Sequence, residues 1–136
     1  MKKVFLLLGV LGLITSCSLD DDAEQYSFEA VAVDNATLPD TLIYGQRYQF
    51  PISYTPPTSC YQFYGFDFQR QDSTRYVTVI NRVVENDTCQ ENTTQVEQDL
   101  DFEVLYRYKY VFKFYQGNDT NDEPIYLTKT IPVKDE

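Results

Sequence analysis

Hydrophobic and polar residues alternate one by one over much of the chain, most clearly in LYRYKYVFKFYQG, residues 105–117. Five aromatic residues take every second position from Tyr106 to Phe114. Side chains of a strand point alternately to its two faces, so these rings share one face. Because each ring buries about 150 to 250 Å², we predict that this face is core. The basic residues Arg107, Lys109 and Lys113 then face solvent and pair with acids of the preceding strand.

Runs rich in Tyr, Phe, Val, Ile and Thr predict strands elsewhere, and nothing after Cys17 has the 3.6-residue rhythm of a helix. A change of phase near Gly65 predicts a β-bulge in the third strand. Pro51 has no N–H to donate, so the second strand is expected to be unpaired or irregular there. Arg75 and Asn81 share the phase of the inward-facing valines of the fourth strand. The predicted strands comprise residues 26–33, 47–54, 60–69, 74–84, 96–104, 105–117 and 125–133.

Seven short strands separated by turn signals predict an all-β fold, a two-sheet antiparallel sandwich over residues 26–134, with a small closed barrel as the alternative. The strand order resembles that of immunoglobulin-like and fibronectin type III domains across this range. Tyr110-Val111-Phe112 resembles the Tyr-x-Cys of the tyrosine corner in that family, with Phe112 in place of the cysteine. The resemblance implies an immunoglobulin-like sandwich that presents loops for binding. The chain has no tryptophan, which departs from the antibody-type pattern.

The chain begins MKKVFLLLGVLGLITSC, a basic start followed by an apolar run and small polar residues. The apolar run is shorter than the roughly 20 residues that span a bilayer, so residues 1–16 are predicted to be a secretory signal peptide; a buried N-terminal helix is the alternative. The stretch Leu13-Ile14-Thr15-Ser16-Cys17 resembles the lipobox of bacterial lipoproteins, although Thr15 and Ser16 depart from its usual Ala-Gly. The resemblance implies cleavage before Cys17, acyl chains such as palmitate on that residue, and anchoring in the membrane through the N-terminal lipid.

The acidic stretch SLDDDAE after Cys17 lies in a predicted tether, residues 17–25. It resembles the export signal of Bacteroidota surface lipoproteins, and the whole chain resembles small outer-membrane lipoproteins of that group. This implies a lipid-anchored protein of the outer membrane, displayed on the cell surface. A solvated tether that needs no receptor is the alternative, with the domain facing the periplasm.

The balance of charge is strongly acidic, with 21 Asp and Glu against 11 Lys and Arg. Loss of residues 1–16 removes two lysines and brings the net charge to about −12. Phosphate binding needs a basic footprint, so nucleic acid is not expected as a partner. Anionic headgroups repel such a chain, which leaves the lipid as its expected membrane contact.

Two cysteines remain in the predicted domain, Cys60 and Cys89. In an oxidising compartment, two cysteines in a small domain predict one disulfide. A hairpin about residue 71 places Cys60 opposite about residue 82, with Cys89 a few residues further along at the same end of the hairpin. Cys60 and Cys89 do not lie where the immunoglobulin family has its inter-sheet disulfide.

The chain has no histidine, no phosphate-binding loop and no dinucleotide fingerprint. We therefore expect no catalytic residues, no cofactor and no metal; the alternative, a carboxylate hydrolase, needs a cleft that separates two pKa values. The oxygen-rich loop at residues 119–123 lacks EF-hand spacing and is interpreted as a hairpin tip. Tyr115 and Tyr126 are candidates for stacking on a sugar, or are ordinary sheet surface.

Asp40-Thr41-Leu42 and Asp72-Ser73-Thr74 resemble the O-glycosylation acceptor of Bacteroidota, which makes Thr41 and Ser73 candidate modification sites. Taken together, the sequence predicts a non-catalytic binding or interaction module with a protein or glycan partner. The alternative is a periplasm-facing accessory lipoprotein of a larger envelope assembly. Fold alone does not license a function, so both rest on analogy.

Overall fold

The computed structural model describes residues 24–84 and 86–136, in which the chain forms ten strands and no helix. Alternation of partly buried and fully buried side chains is clearest in Thr74–Val83, where it runs through the whole strand. The strands are β1 Ser27–Val31, β2 Val33–Ala36, β3 Leu42–Ile43, β4 Arg47–Tyr54, β5 Tyr61–Gln71, β6 Thr74–Val83, β7 Val96–Glu103, β8 Tyr110–Asn118, β9 Pro124–Ile131 and β10 Val133–Lys134.

The strands form two main sheets, which confirms the predicted all-β sandwich. Strand β6 is central to a five-stranded sheet that contains β1, β5, β8 and β9, while β2, β4 and β7 form a three-stranded sheet. The short strands β3 and β10 make a third, two-stranded pair. Most pairs are antiparallel, but β6 with β8 and β3 with β10 are parallel. The first parallel pair arises because the chain crosses to β7 in the other sheet between β6 and β8.

Aromatic rings from both sheets fill the space between them. The ring centroid of Phe102 in β7 lies 5.0 Å from that of Phe112 in β8, and the two planes are nearly perpendicular. Phe50 of β4 meets Phe112 in the same edge-to-face manner at 5.5 Å. Edge-to-face contacts of this kind add to the free energy gained by burial.

The alternating run that ends in β8 contributes to this core in part. Tyr110, Phe112 and Phe114 are fully buried, as predicted. Tyr106 and Tyr108 are half-buried and precede the strand, because the chain here passes from one sheet to the other. The predicted pairing of the basic residues with acids of β7 is wrong for the same reason, since β7 and β8 lie in different sheets.

Tyr110 also fixes the turn before its strand. Its hydroxyl accepts a hydrogen bond from the backbone N–H of Tyr106 at 3.1 Å. A tyrosine at the start of a strand that bonds to the backbone a few residues upstream is the geometry of the tyrosine corner. The expectation drawn from Tyr110-Val111-Phe112 therefore has a matching contact in the structure.

Two predicted strands are each divided in the structure. The first breaks at Ala32, where the chain leaves β6 as partner and joins β4, so that β1 and β2 belong to different sheets. The last breaks at Pro132, whose carbonyl accepts the N–H of Leu42 and starts the pairing of β10 with β3.

The bulge predicted in β5 is present, whereas β4 pairs regularly with β7 through Pro51 and is unpaired there only on the side of β2. The register of β5 against β6 shifts between Phe63 and Gly65, and the extra residue, Tyr64, points outward with 66% of its surface exposed. The carbonyl of Pro51 accepts the N–H of Thr37 just beyond the end of β2. Pro51 itself has nothing to donate on that side, so the β2–β4 ladder stops there.

Cys60 and Cys89 form the predicted disulfide, with their Cα atoms 5.4 Å apart. The carbonyl of Cys60 accepts the N–H of Val84, so Cys60 lies opposite residue 84 and not residue 82. The bridge closes the polar loop that leads from β6 to β7 against the start of β5.

Candidate functional site

The outer face of the five-stranded sheet carries tyrosine rings together with hydrogen-bonding side chains. Strand alternation sends every second residue of β5, β6, β8 and β9 to this face. A groove of about 350 Å³ runs across it, and we call it the tyrosine groove. It is lined by Asp67, Gln69 and Gln71 of β5, Tyr76 and Thr78 of β6, and Tyr126 of β9.

Tyr76 and Tyr126 line one side of the tyrosine groove, and Tyr115 and Lys113 contact these two rings from outside it. The ring centroids of Tyr76 and Tyr126 are 5.5 Å apart, and Tyr115 lies 6.4 Å from Tyr126. Both pairs are edge-to-face with an interplanar angle of 68°. The Lys113 Nζ stands 5.7 Å from the Tyr76 centroid and 5.8 Å from that of Tyr126, which adds a cation–π contact. The rings are therefore held in fixed orientations before any ligand arrives.

Polar side chains of β5 form the other side. The Gln69 Nε2 donates to the Asp67 Oδ2 at 3.0 Å, which orients both groups. Gln71 is exposed beyond them. A carboxylate accepts hydrogen bonds, and an amide both donates and accepts. Such a set beside aromatic rings suits a ligand that has hydroxyl groups and an apolar face, as a sugar ring does.

A larger concavity, of about 490 Å³, lies on the three-stranded sheet, and unlike the tyrosine groove it has two of its charged groups tied in an ion pair. The Arg47 Nη2 is 3.0 Å from the Glu103 Oε2, and the Gln49 Nε2 donates to the Asp101 Oδ1 at 3.0 Å. The outward acids of β7 make this face strongly acidic. We therefore take the tyrosine groove, and not this concavity, as the candidate site.

A third exposed feature is an apolar patch at the start of the described chain, formed by Tyr26, Phe28 and Tyr64. The ring centroids of Phe28 and Tyr64 lie 4.5 Å apart, and those of Tyr26 and Phe28 lie 5.5 Å apart. The guanidinium carbon of Arg82 stands 4.4 Å from the Tyr26 centroid. We call these residues the N-terminal patch; it adjoins residues 24 and 25, where the predicted tether ends.

The predicted modification sites are spread over the molecule. Cys17, the candidate lipid attachment site, lies outside the described residues, as do the signal peptide and most of the tether. Thr41 is half-buried just before β3, and Ser73 is half-buried in the turn between β5 and β6. The disulfide of Cys60 and Cys89 lies at the end of the β5–β6 hairpin far from that turn.

The loop at residues 119–123 uses its oxygen atoms internally. The Asp119 Oδ1 accepts the N–H groups of Asn121 and Glu123, which closes the hairpin tip between β8 and β9. Across residues 24–84 and 86–136, no three or more Cys, Asp or Glu side chains gather in a way that would hold a metal ion. Nor does this part of the chain contain a helix long and apolar enough to cross a membrane.

Sequence reasoning identified one wall of the candidate site and missed the other. Tyr115 and Tyr126 were candidates for stacking, and the structure adds Tyr76 beside them. Asp67 and Gln69 were not singled out. Their signal is the phase of β5 after the bulge at Gly65, which sends them to the same face as the tyrosines.

Comparison of the chain with protein-family models, curated proteins and solved structures finds no match. The case for a function therefore depends on the residues and geometry described above.

Proposed function

We propose that this protein is a lipid-anchored, non-catalytic binding module displayed at the cell surface, and that it binds glycans through the tyrosine groove. The observation that carries the proposal is the combination of fixed tyrosine rings with Asp67 and Gln69 in one groove. The acidic sequence after Cys17 and the disulfide are consistent with an exported protein.

The chemistry of the groove favours a neutral sugar. The CH groups of a pyranose ring pack on the face of a tyrosine, while its hydroxyls exchange hydrogen bonds with a carboxylate and amides. The groove is open and shallow, so each contact is weak and several together are needed for specificity. The strongly acidic surface disfavours polyanionic glycans.

Binding is tested by titrating neutral oligosaccharides into the purified protein and its Tyr76→Ala and Tyr126→Ala variants. We expect each variant to lose about tenfold in affinity, the equivalent of about 1.4 kcal/mol. Tyr64→Ala is the matched control, because it removes an exposed tyrosine of the N-terminal patch. Equal affinities in all four proteins, or no binding to any neutral oligosaccharide, would contradict the glycan proposal.

Display is tested by adding protease to intact cells and to lysed cells. Digestion in intact cells supports a surface position, whereas resistance that ends on lysis excludes it. Replacement of Cys17 by Ser is expected to abolish incorporation of radiolabelled palmitate and release the protein from the membrane. Retention of label in the variant would exclude Cys17 as the acylated residue.

The N-terminal patch favours a second candidate, a periplasm-facing accessory lipoprotein that packs against a protein partner. Tyr26, Phe28 and Tyr64 are all exposed, and they lie next to the predicted tether. Aromatic residues with a neighbouring arginine are frequent at the centres of protein interfaces. Protection from protease in intact cells, together with a crosslink from residue 28 to one envelope protein, would favour this candidate.

A further inference from the structure

Two arginines lie directly opposite each other near the turn of the β5–β6 hairpin. Arg70 of β5 and Arg75 of β6 are cross-strand partners, and both guanidinium groups approach the ring of Tyr106 on the inner side of the sheet. Like charges in directly opposed positions repel and lower the stability of a sheet. Such a conflict between local chemistry and the fold is expected at functional sites.

The acceptors around Arg75 and Arg70 are all neutral. Arg75 is only 3% exposed, and it donates to the carbonyls of Asp72 and Thr74 at 2.9 and 3.0 Å and to the Tyr108 hydroxyl at 2.8 Å. Arg70 donates to the Tyr106 hydroxyl. In the part of the chain that the structure describes, neither guanidinium has a carboxylate partner.

Aromatic rings provide further support for the two cations. The guanidinium carbon of Arg75 stands 4.9 Å from the Tyr110 centroid, and that of Arg70 stands 4.8 Å from the Tyr106 centroid. The rings of Tyr106 and Tyr108 stack in parallel at 4.9 Å, which holds the segment before β8 against the arginines. Ring faces and carbonyl dipoles offset part of the cost of burying a charge, but they do not neutralise it.

Both arginines line a cavity of about 220 Å³ with an apolar rim. Phe68 and Leu105 are 40% and 60% exposed at its edge. The single acid in the wall is Glu103, whose Oε2 is already 3.0 Å from Arg47. The cavity therefore offers positive charge and apolar surface together.

We propose that this cavity, the arginine corner, binds the carboxylate group of a small organic ligand. A guanidinium fork matches a carboxylate with two parallel hydrogen bonds. The apolar rim suits the body of the ligand, and the cavity is smaller than the roughly 300 Å³ at which drug-sized pockets begin. A single negative charge fits best, because the acidic molecule repels multiply charged anions. The inner side of β5 forms this site and its outer side the tyrosine groove, so the two proposals stand independently.

The test uses the purified full chain in detergent and two probes of the same shape, benzoate and the neutral benzamide. By isothermal titration calorimetry we expect benzoate to bind at least about tenfold more tightly than benzamide, in line with the strength of charged hydrogen bonds. Benzoate should also raise the melting temperature, because it binds the folded state. Equal affinity for the two probes, or no binding of benzoate, would overturn the proposal.

Variants locate the site. Arg70→Gln is expected to weaken benzoate binding about tenfold because it removes the exposed guanidinium fork, and Arg75→Lys by a smaller factor because the Arg75 guanidinium already donates to Asp72, Thr74 and Tyr108. Lys134→Gln, an exposed lysine of β10, makes the same change of charge as Arg70→Gln and should leave affinity unchanged. If Arg75→Lys does not fold, Arg70→Gln alone decides. Wild-type affinity in Arg70→Gln, or tighter binding of inorganic phosphate than of benzoate, would rule out a carboxylate site here.

Discussion

Asn81 is the core residue whose chemistry fits its surroundings least. It is fully buried in β6 between valines, and its Nδ2 and Oδ1 have no hydrogen-bond partner among the described residues. The Tyr54 hydroxyl is near enough for the amide to influence its pKa, but the two groups do not align into a hydrogen bond of normal geometry. A buried polar group without a partner costs about 1 to 3 kcal/mol.

Replacement of Asn81 by Val should therefore stabilise the protein. We expect the free energy of unfolding in urea to rise by about 1 to 3 kcal/mol, since the valine removes the unpaired amide and suits a strand. Thr78→Val, on the outer face of the same strand, is the matched control and should change stability by less than about 0.5 kcal/mol. A loss of stability in Asn81→Val would show that the amide has a partner or a role.

Tyr54 predicts a dependence of stability on alkaline pH. Burial raises the pKa of its phenol above the usual 10.0, and the nearby Asn81 amide acts in the opposite direction with a smaller effect. Below pH 10 the phenol keeps its proton in both states, so its contribution is fully present. Above that pH the unfolded chain loses the proton first, and the free energy of unfolding falls as pH rises through the folded-state pKa.

The measurement is urea unfolding of the wild type and Tyr54→Phe between pH 8 and pH 11. We expect the stability of the variant to decline less steeply above pH 10, because it lacks the ionisable group. The other tyrosines are common to both proteins and cancel in the comparison. Parallel curves over this range would contradict the assignment.

At the scale of single residues, burial was predictable where the period of the strand was clear. Arg75 and Asn81 share the phase of the valines of β6, and both are buried in the structure. The partners of Arg75 were not predictable, because Tyr108 is 33 positions away and approaches it only when the chain crosses between sheets. Periodicity specifies the face of a residue, whereas the contacts across the core depend on topology.

At the scale of elements, two glycines differ in the conformation that they adopt. Gly117 near the end of β8 has φ of +96°, a region in which side chains are strained, whereas Gly65 at the bulge has no such φ and open space where a Cβ would lie. Gly117→Ala should lower the free energy of unfolding by about 1 kcal/mol or more. Gly65→Ala should leave it unchanged or raise it by up to about 1 kcal/mol. Chemical denaturation of both variants makes the comparison, and equal losses would contradict it.

The disulfide ties the start of β5 to the loop after β6. Because its two cysteines are 29 positions apart, replacing both Cys60 and Cys89 by Ser should lower the free energy of unfolding by about 3 to 4 kcal/mol in the chain-entropy model. Reduction of the wild type by dithiothreitol should give a similar loss, and the double variant should not respond to reductant. An unchanged stability on reduction would mean that the bridge does not constrain the unfolded chain.

Three of the long strands were predictable from sequence, whereas the start of β8 at Tyr110, the short strands and the pairings were not. Strands β4, β6 and β7 match their predicted ranges to within one residue, because their alternation continues for eight residues or more. Strands β3 and β10 have two residues each, too few for a period to show. The parallel pairing of β6 with β8 depends on the crossover through β7, which no local pattern records.

At the scale of the whole molecule, self-repulsion opposes folding. The chain has 21 acidic and 11 basic residues, and the two surface ion pairs, Arg47 with Glu103 and Arg107 with Asp135, are the salt bridges of the described residues. Exposed pairs contribute at most about 1 kcal/mol each. Excess like charge should therefore outweigh them.

We expect the melting temperature to rise when NaCl is increased from about 10 mM to about 150 mM, because the Debye length falls from about 30 Å to about 8 Å. Calorimetry at constant pH measures the shift, and the variant Asp99→Asn should be less sensitive to salt, since it removes an exposed acid of β7 that makes no ion pair within the described chain. A melting temperature that falls with salt would show that ion pairs dominate over repulsion.

The N-terminal patch begins where the predicted tether ends, so an acylated Cys17 would limit how far the domain stands from the bilayer. Nine residues, 17–25, separate the candidate acylated cysteine from Tyr26, and a fully extended chain of that length reaches about 30 Å. An acylated Cys17 would thus hold the first strand within one bilayer thickness of the lipid layer. The domain would then stay in a thin layer next to the membrane. Its local concentration there would be set by the length of the tether and not by the volume of the medium.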